Sequence, residues 1–237
     1  MSTDLMARLG HVRERVGRAA DAAGRPAASV RLMLAVKRQP EALVREAVLA
    51  GATLLGDNTV QELVAHAPGI ADLGPELHLI GHLQSNKVNA ALRWATCVQT
   101  VDSVALADRL ARRCVTLGRD LDVMIQVNVS GEPAKHGVAP ECAGALAEHV
   151  AGLDRLRLTG FMTVGALSDE DAVVRAGFRR LREVRDEVAG SGVPGTAHAT
   201  ELSMGMSGDL ESAVAEGATI VRVGSAVFGD RPARPAR

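Results

Sequence analysis

Hydrophobic residues recur at helical spacing near the start of the chain. An α-helix places side chains three and four positions apart on one face, so this spacing predicts an amphipathic helix. We therefore expect an N-terminal helix within residues 1–25, ended by Gly24 and Pro26. Its apolar stripe consists of Leu5, Leu9, Val12, Val16 and Ala20.

Eight short apolar runs follow this helix, and longer amphipathic stretches separate them. The runs are mostly continuous, which is typical of parallel strands that are covered on both faces. Helical periodicity is clear at residues 41–49, 104–117 and 172–188. Eight strand–helix units predict an α/β fold, a single closed (β/α)8 TIM barrel with an additional N-terminal helix. The runs cover residues 32–36, 53–55, 77–80, 96–100, 123–127, 156–161, 198–202 and 219–223.

The length of the chain agrees with one barrel domain. Such barrels typically have about 250 residues, and this chain has 237. We expect one domain over residues 1–237, with a flexible tail at 230–237. The alternative is a doubly wound open sheet, which normally has a glycine-rich phosphate turn after its first strand. The sequence VKRQP at residues 36–40 is not such a turn.

Polar loops follow the second and third runs. Asn58 and Ser85 in these loops could orient a ligand, but each could equally cap a helix. We predict N-caps at Asp57 or Asn58, Ser85, Asp102 and Ser207, because such side chains accept hydrogen bonds from the first backbone N–H groups of a helix.

Charge and cysteine usage exclude several functional classes. With 27 basic and 28 acidic residues the formal net charge is -1, so the chain lacks the electrostatic footprint of a nucleic-acid-binding or membrane-binding protein. Three widely spaced cysteines indicate neither a disulfide framework nor a metal site, and they favour a reducing, cytoplasmic setting. The first residues lack a signal-peptide core, and no apolar run approaches the ~20 residues of a membrane helix.

Lysine is rare in this chain, which uses arginine for nearly all of its positive charge. The lysines are Lys37, Lys87 and Lys135, and there is no tyrosine. Lys37 directly follows the first predicted strand, and barrel enzymes place reactive groups at this end of their strands. Its apolar neighbours should partly desolvate the amine, which could then act as a nucleophile or form a Schiff base. The alternative is a rim lysine paired with a carboxylate.

The loops after the seventh and eighth runs have the composition of a phosphate site. Small residues at 202–209 lead into a predicted helix, where backbone N–H groups can bind an anion. Gly224 and Ser225 follow the eighth run, and barrel enzymes often bind phosphate in these two loops. Arg222 should point the same way as Gly224, toward the barrel mouth or interior. A buried arginine needs an acceptor, and either a pyridine nitrogen or a carboxylate would serve.

Six segments of the sequence carry a more specific signal. They are LAVK at 34–37 with Pro40, GDNTVQE at 56–62, HLIGHLQSNK at 78–87, QVN at 126–128, LSMGMS at 202–207 and VRVGSAVFG at 221–229. Together they resemble the YggS/PROSC family of pyridoxal 5'-phosphate (PLP) homeostasis proteins, and they cover nearly the whole chain. Val36 and Gly208 depart from the family pattern, which commonly has serine and an acidic residue at these positions.

The resemblance implies a barrel similar to the N-terminal domain of bacterial alanine racemases. It implies that Lys37 carries PLP as an internal aldimine and that Arg222 faces the pyridine nitrogen. It also implies that backbone N–H groups near Ser203, Gly205 and the loop after the eighth strand surround the phosphate. The predicted cofactor-binding residues are Lys37, Asn58, Ser203, Gly205, Arg222, Gly224 and Ser225, and we expect neither a metal site nor a catalytic residue.

The expected function is PLP binding and delivery in PLP and vitamin B6 homeostasis, without efficient catalysis. A permanent cation at Arg222 should keep the pyridine nitrogen unprotonated, which makes PLP a weak electron sink. By resemblance, alanine racemases use a tyrosine from a second domain as one base, and this chain has no tyrosine and no length for that domain. His82 or Cys97 could be proposed as a substitute base, but a structural role is the simpler interpretation of both.

Two other functions stay open at this point. One is an amino-acid racemase of the alanine racemase type, and the other is a Schiff-base aldolase-like barrel enzyme without PLP. For the favoured function we expect a cytoplasmic monomer that passes PLP to apo forms of PLP-dependent enzymes. Lys135 and Lys87 are candidates for a secondary, transient PLP position, because Lys135 lies in a glycine-rich loop after the fifth strand.

Overall fold

Eight parallel strands close into a barrel at the centre of the protein. A computed structural model describes residues 3–229, and in it each strand pairs with the next one along the chain and the last pairs with the first. The predicted (β/α)8 barrel is therefore confirmed, and the open-sheet alternative is wrong. The strands are β1 (Arg31–Ala35), β2 (Leu54–Asp57), β3 (Glu76–Leu79), β4 (Cys97–Val101), β5 (Leu121–Gln126), β6 (Leu156–Met162), β7 (Glu201–Ser203) and β8 (Ile220–Val223).

Helices follow the strands and pack around the barrel. They are α1 (Thr3–Ala22), α2 (Glu41–Leu49), α3 (Val60–His66), α4 (Val88–Ala91), α5 (Val104–Leu117), α6 (Pro140–Ala151), α7 (Asp171–Ala189), α8 (Leu210–Ala215) and α9 (Ser225–Phe228). Short 3-10 helices lie at Ala27–Ser29, Ala67–Gly69, Ala71–Leu73 and Ser85–Lys87. Within residues 3–229, no helix combines the length and the apolar character that crossing a membrane would require. The tail predicted at 230–237 lies outside the described residues.

The predicted N-terminal helix is present as α1, and its apolar stripe is buried. All five stripe residues are at most 4% exposed. On the polar side, Nε of Arg15 donates to Glu211 of α8 at 3.0 Å, and Nη2 of Arg15 donates to the carbonyl oxygen of Ser207 at 3.3 Å. The additional helix therefore braces the loop that follows β7.

The interior of the barrel has an apolar layer and a polar layer. The apolar layer consists of Met33, Leu54, Cys97, Met124, Met162 and Ile220. Alternate strand residues point to the same face, so Gln99 and Arg222, two positions beyond Cys97 and Ile220, also point inward. They are buried together with His78 and Ser203. The polar layer lies nearer the carboxyl ends of the strands, where barrel proteins have their functional sites.

Several predicted boundaries and caps are wrong by one to three residues. The seventh strand was predicted at 198–202 but begins at Glu201, because the N–H of Ala199 donates to Thr196 in a turn. The N-caps of α3 and α5 are Thr59 and Ser103, one residue after the expected Asn58 and Asp102. The helices predicted to begin at Ser85 and Ser207 have Gln84 and Asp209 at their N-cap positions. Asp57 caps no helix, because it is the last residue of β2 itself.

A charged cluster closes the opposite, amino-terminal end of the barrel. Nη2 of Arg31 donates to Oε1 of Glu76 at 2.6 Å, and the carboxylate of Glu201 lies 3.6 Å from Nη1 of Arg31. Nε2 of His78 lies 3.5 Å from Oε2 of Glu76. Interaction with His78 first, and then with Arg31, outweighs burial and lowers the pKa of Glu76 to about 2.

We predict that Glu76 stabilises the protein above its ordinary pKa of 4.5 and that this contribution is lost as the pH falls toward 2. The free energy of unfolding in urea, measured near neutral pH and again at about pH 3, should fall more for the wild type than for Glu76→Gln. Because the carboxyl group is half-exposed, we expect a difference of about 1 kcal/mol or less. An equal fall in both proteins would contradict the assignment.

Candidate functional site

A cavity of about 360 Å³ opens at the carboxyl ends of the strands. Small-ligand pockets are typically about 300–1,000 Å³, so it can hold a cofactor-sized molecule. Residues from β1, β8 and the loops after β2 and β7 meet in its wall. The lining includes five of the seven predicted cofactor residues, namely Lys37, Asn58, Arg222, Gly224 and Ser225, together with Ala35, Gln39, Ile80, Val164, Met206, Ser207, Gly208 and Gly229.

Lys37 lies half-buried in a tight turn that follows β1. The N–H of Gln39 donates to the carbonyl oxygen of Val36 at 3.0 Å, and Arg38 has a φ of 60°. This left-handed conformation is uncommon for a residue with a side chain and costs about 1 kcal/mol or more. The turn therefore depends on contacts with the rest of the protein.

Helix α3 holds one side of this turn through Glu62. Oε1 of Glu62 accepts the backbone N–H of Arg38 at 3.0 Å, and Oε2 accepts the hydroxyl of Thr59 at 3.0 Å. Thr59 is the N-cap of α3, and its Oγ1 accepts the backbone N–H of Glu62 at 3.2 Å. The start of α3 and the turn after β1 thus form one hydrogen-bonded unit.

His66, at the end of α3, holds the other side of the turn. Its Nε2 donates to the carbonyl oxygen of Gln39 at 2.9 Å, and its Nδ1 lies 2.9 Å from Oδ1 of Asp57. A carbonyl oxygen can only accept, so Nε2 carries a proton. All three residues are buried. Two contacts from one short helix therefore fix the backbone at Arg38 and Gln39, directly after Lys37.

Asp57 and His66 form a buried hydrogen-bonded pair. Burial raises the pKa of Asp57, although the hydrogen bond with His66 opposes this shift. Burial disfavours the imidazolium of His66, but the hydrogen bond and the charge of Asp57 outweigh it and raise the pKa of His66. Oδ2 of Asp57 is buried without a hydrogen-bond partner among the described residues. Both shifts favour the protonated form of their group.

The first and last strands meet beside the turn. A Cβ atom on Gly224 would lie 3.0 Å from the carbonyl oxygen of Ala35, so glycine allows a close approach of the two backbones. The hydroxyl of Ser225 donates to the hydroxyl of Ser207 at 3.4 Å, which joins the loops after β8 and β7. Gly205 has a φ of 88° and would place a Cβ 2.4 Å from the side chain of Ala213. Glycine is therefore required at this position.

Arg222 is a buried guanidinium with one side on the cavity. Nη1 donates to the carbonyl oxygen of Ser203 at 2.7 Å and to its hydroxyl at 3.0 Å, and Nη2 donates to the carbonyl oxygen of Thr163 at 2.7 Å. A guanidinium has five N–H groups, so two have no acceptor within residues 3–229. Burial lowers the pKa of Arg222 to about 10, with a small opposing effect of Asp209. The side chain is therefore a cation at neutral pH.

A chain of hydrogen bonds leads from Arg222 through the barrel interior. The Ser203 hydroxyl donates to Oε1 of Gln99 at 2.7 Å, and Nε2 of Gln99 donates to Nδ1 of His78 at 2.8 Å. Nδ1 of His78 is then an acceptor, which leaves the ring proton on Nε2, near Glu76. The donors all point from the cavity toward the amino-terminal end of the barrel, so the orientation of each group fixes the next.

The other predicted residues lie behind the cavity or away from it. Ser203 bonds Arg222 and Gln99 in the interior, and the carbonyl oxygen of Gly205 accepts the backbone N–H of Arg222 at 2.9 Å. Nζ of Lys135 donates to Glu132 at 2.6 Å and to the carbonyl oxygen of Gly165 at 3.0 Å, beside a separate rim cavity. Lys87 ends a 3-10 helix and is half-buried.

Sequence reasoning missed the residues that hold the cavity wall in place. They are Gln39, Glu62, His66, His78 and Gln99. His78 and Gln99 occur inside predicted buried strands, where a polar side chain needs a partner, and that signal could have identified them. Glu62 follows Thr59 by three residues, which is the spacing of a capping box. Nothing local in the sequence links His66 to Asp57 or to Gln39.

Comparison with known proteins identifies the family. Residues 8–232 match the family described as alanine racemase, N-terminal domain. The pyridoxal phosphate homeostasis protein of Pseudomonas aeruginosa is 42% identical over 223 residues, which are 94% of each chain. The human protein of the same name is 40% identical and covers 87% of this chain and 78% of its own. This chain belongs to the pyridoxal phosphate homeostasis protein family.

Solved structures of similar proteins agree with this family. PipY of Synechococcus elongatus, solved with PLP bound, has a TM-score of 0.83 and 35% identity, over 95% of this chain and all of its own. An alanine racemase of Clostridium difficile matches at a TM-score of 0.73 and 14% identity, over 97% of this chain but 56% of that chain. The racemase therefore shares the barrel fold with this family and has further chain beyond it.

We predict that Asp57→Ala destabilises the protein by about 3–5 kcal/mol, because it leaves a buried imidazole without its partner. The matched control is Asp108→Ala, since Asp108 accepts from His149 at 2.7 Å but both side chains are about one-third exposed. The control should cost about 1 kcal/mol or less. Urea unfolding measures the free energy of unfolding of both variants. Equal losses would show that the buried pair stabilises the protein no more than the exposed pair does.

We predict that Ser203→Ala costs about 1–3 kcal/mol of unfolding free energy, because Oε1 of Gln99 and one N–H of Arg222 then lose a buried partner. Ser212→Ala serves as the control, since the hydroxyl of Ser212 donates to Asp171 at an exposed position. The control should change stability by about 0.5 kcal/mol or less. Thermal and urea unfolding compare the two variants. An unchanged stability of Ser203→Ala would refute the role of the hydrogen-bond chain that runs from Arg222 to His78.

Proposed function

We propose that this protein binds PLP in the cavity at the barrel mouth and holds it as a Schiff base on Lys37. The observation that supports this proposal is that one cavity wall contains a half-buried primary amine, a buried guanidinium and a glycine-lined backbone cradle. PLP needs a partner of each kind, for its aldehyde, its pyridine nitrogen and its phosphate. We propose that the whole chain acts as one PLP-binding barrel domain.

The residues present fit this cofactor. Arg222 has two N–H groups without acceptors among the described residues, and a pyridine nitrogen is an acceptor. Backbone N–H groups near Gly224 and Ser225, and in the loop that contains Ser203 and Gly205, would hold the phosphate, as anions are commonly held at such turns. Asn58 would contact the cofactor from the loop after β2.

When bound, PLP supplies an aldehyde that condenses with an amine and releases water. The protein residues determine what else can happen. The Arg222 cation disfavours a proton on the pyridine nitrogen, and a neutral ring withdraws electrons weakly. The chain also has no tyrosine, the residue that alanine racemases are expected to use as a base. We therefore propose a carrier that takes part in PLP and vitamin B6 homeostasis and catalyses no efficient racemisation.

The proposal includes a cytoplasmic monomer that passes PLP to apo forms of PLP-dependent enzymes. Lys135 and Lys87 are the candidates for a transient secondary position. Before Lys135 could react, its amine would have to leave Glu132 and the carbonyl oxygen of Gly165. The Lys87 amine forms no hydrogen bond within residues 3–229, so it would have no such contact to break.

We predict that borohydride reduction of the PLP-loaded protein adds one PLP mass, and that peptide mapping finds it on Lys37. Lys37→Ala should lose this mass and the yellow absorbance, whereas the control Lys87→Ala should keep both. Retention of the full absorbance in Lys37→Ala would contradict the site. Protein that stays colourless with added PLP would favour the aldolase-like alternative. At excess PLP, additional label on Lys135 or Lys87 would support a secondary position, and label on Lys37 alone would refute it.

A further inference from the structure

We propose that His82, Asp102 and His136 form a binding site for a divalent transition-metal ion of the zinc class. This inference does not depend on PLP binding. The three side chains come from three consecutive loops at the barrel mouth. His82 lies three residues after β3, Asp102 directly follows β4, and His136 belongs to the loop between β5 and α6.

The cluster is separate from the PLP cavity. In the closed eight-stranded barrel, β4 lies across the ring from β8, which supplies Arg222 and leads to Gly224. None of the three side chains lines the cavity of Lys37. Any ion bound here would therefore have a role of its own, apart from holding PLP.

The distances suit ligands of one ion better than they suit hydrogen bonds. One ligand atom from each residue lies within 4.8 Å of the others. Nδ1 of His82 and Oδ2 of Asp102 are 3.6 Å apart, which is too long for a hydrogen bond. Zinc binds nitrogen and oxygen at about 2.0–2.2 Å, so two tetrahedral ligands are separated by roughly 3.4 Å. The His82–Asp102 pair already has this spacing. The other pairs, which are at most 4.8 Å apart, must close by up to roughly 1.4 Å.

Other histidine–aspartate pairs in the protein behave differently. His66 and Asp57 are 2.9 Å apart, and His149 and Asp108 are 2.7 Å apart, so both pairs form hydrogen bonds. Within residues 3–229, the imidazole groups of His82 and His136 and the carboxylate of Asp102 take part in no hydrogen bond. The Asp102 side chain is only 17% exposed. Its one recorded partner among the described residues is the 3.6 Å ion pair with His82, so a carboxylate this little exposed has room for a ligand from outside the chain.

The two imidazole rings of the cluster already lie next to each other. The rings of His82 and His136 are stacked with centroids 4.1 Å apart and an interplanar angle of 10°. Binding of one ion by both requires that one ring turn until the nitrogen lone pairs converge. Both side chains are exposed at the rim, so packing does not prevent this rotation.

The ligand types select the class of ion. Two imidazoles and one carboxylate suit zinc, cobalt, nickel and copper, whereas calcium and magnesium prefer oxygen ligands alone. Three protein ligands also leave a coordination position for water. Because His136 comes from the long loop after β5, a bound ion would tie that loop to the loops after β3 and β4. The loop also contains Lys135, so the ion would restrict the segment around that amine.

Isothermal titration of the chelator-treated full chain with ZnCl₂ tests the site. We expect one ion per chain, with a dissociation constant of about 10 µM or lower. His82→Ala, Asp102→Asn and His136→Ala should each weaken binding about tenfold or more. His11→Ala, which removes an exposed histidine of α1, is the matched control and should bind like the wild type. Cys142→Ser tests the exposed thiol as a competing ligand and should also bind normally.

Two results would overturn the proposal. One is the absence of saturable zinc binding by the wild type, and the other is binding that survives all three ligand substitutions. Spectra with CoCl₂ provide a second readout, because d–d bands report coordination geometry and thiolate ligands add a charge-transfer band. Cobalt spectra with nitrogen and oxygen character in the wild type, lost in His136→Ala but kept in His11→Ala, would support the site. PLP mass on Lys37, measured in the same samples, reports independently on the proposed function.

Discussion

The burial of one guanidinium determines much of the interior of this barrel. A charged side chain inside a protein is costly unless hydrogen bonds compensate for the lost contact with water. Arg222 uses two carbonyl oxygens and the hydroxyl of Ser203 for this purpose. That hydroxyl requires Gln99, and Gln99 requires His78, so the polar layer follows from a single arginine on the last strand. The two N–H groups that remain without acceptors among the described residues are then oriented for a ligand.

The position of Lys37 depends on a different set of contacts, all from α3. A strained residue next to the amine persists only if its surroundings hold it in place. Glu62 and His66 do so from the two ends of the helix, and Asp57 orients the imidazole. The backbone that carries the amine is therefore held in place although it lies in a turn. A position on a rigidly held turn is what capture of a small aldehyde requires, since little conformational freedom is then lost on binding.

The sequence predicts the strands and helices of this protein better than the tertiary contacts that hold the cavity wall in place. Continuous apolar runs and the α1 stripe correspond to buried strands and a buried helix face, because apolar side chains are the ones that a folded protein most often buries. Lys37 and Gly224 line the cavity at the barrel mouth, and the sequence placed them there because residues directly after a strand lie at the functional end of such barrels. The caps expected at Asp57 and Asp102 were misplaced because both residues lie at strand ends. Asp57 pairs with His66 of α3, and Ser103 rather than Asp102 caps α5. The grouping of His82, Asp102 and His136 was not predicted, since no local spacing encodes contacts between three loops.

The pairing of β1 with β8 has a consequence for synthesis of the protein. Lys37 follows the first strand, and Arg222 and Gly224 belong to the last, so the two halves of the cavity are separated by almost the entire chain. A growing polypeptide cannot assemble them until its final strand has emerged from the ribosome and docked. At the proposed site, cofactor would therefore be loaded only by molecules whose barrel has closed, and bound cofactor would in turn oppose separation of β1 from β8.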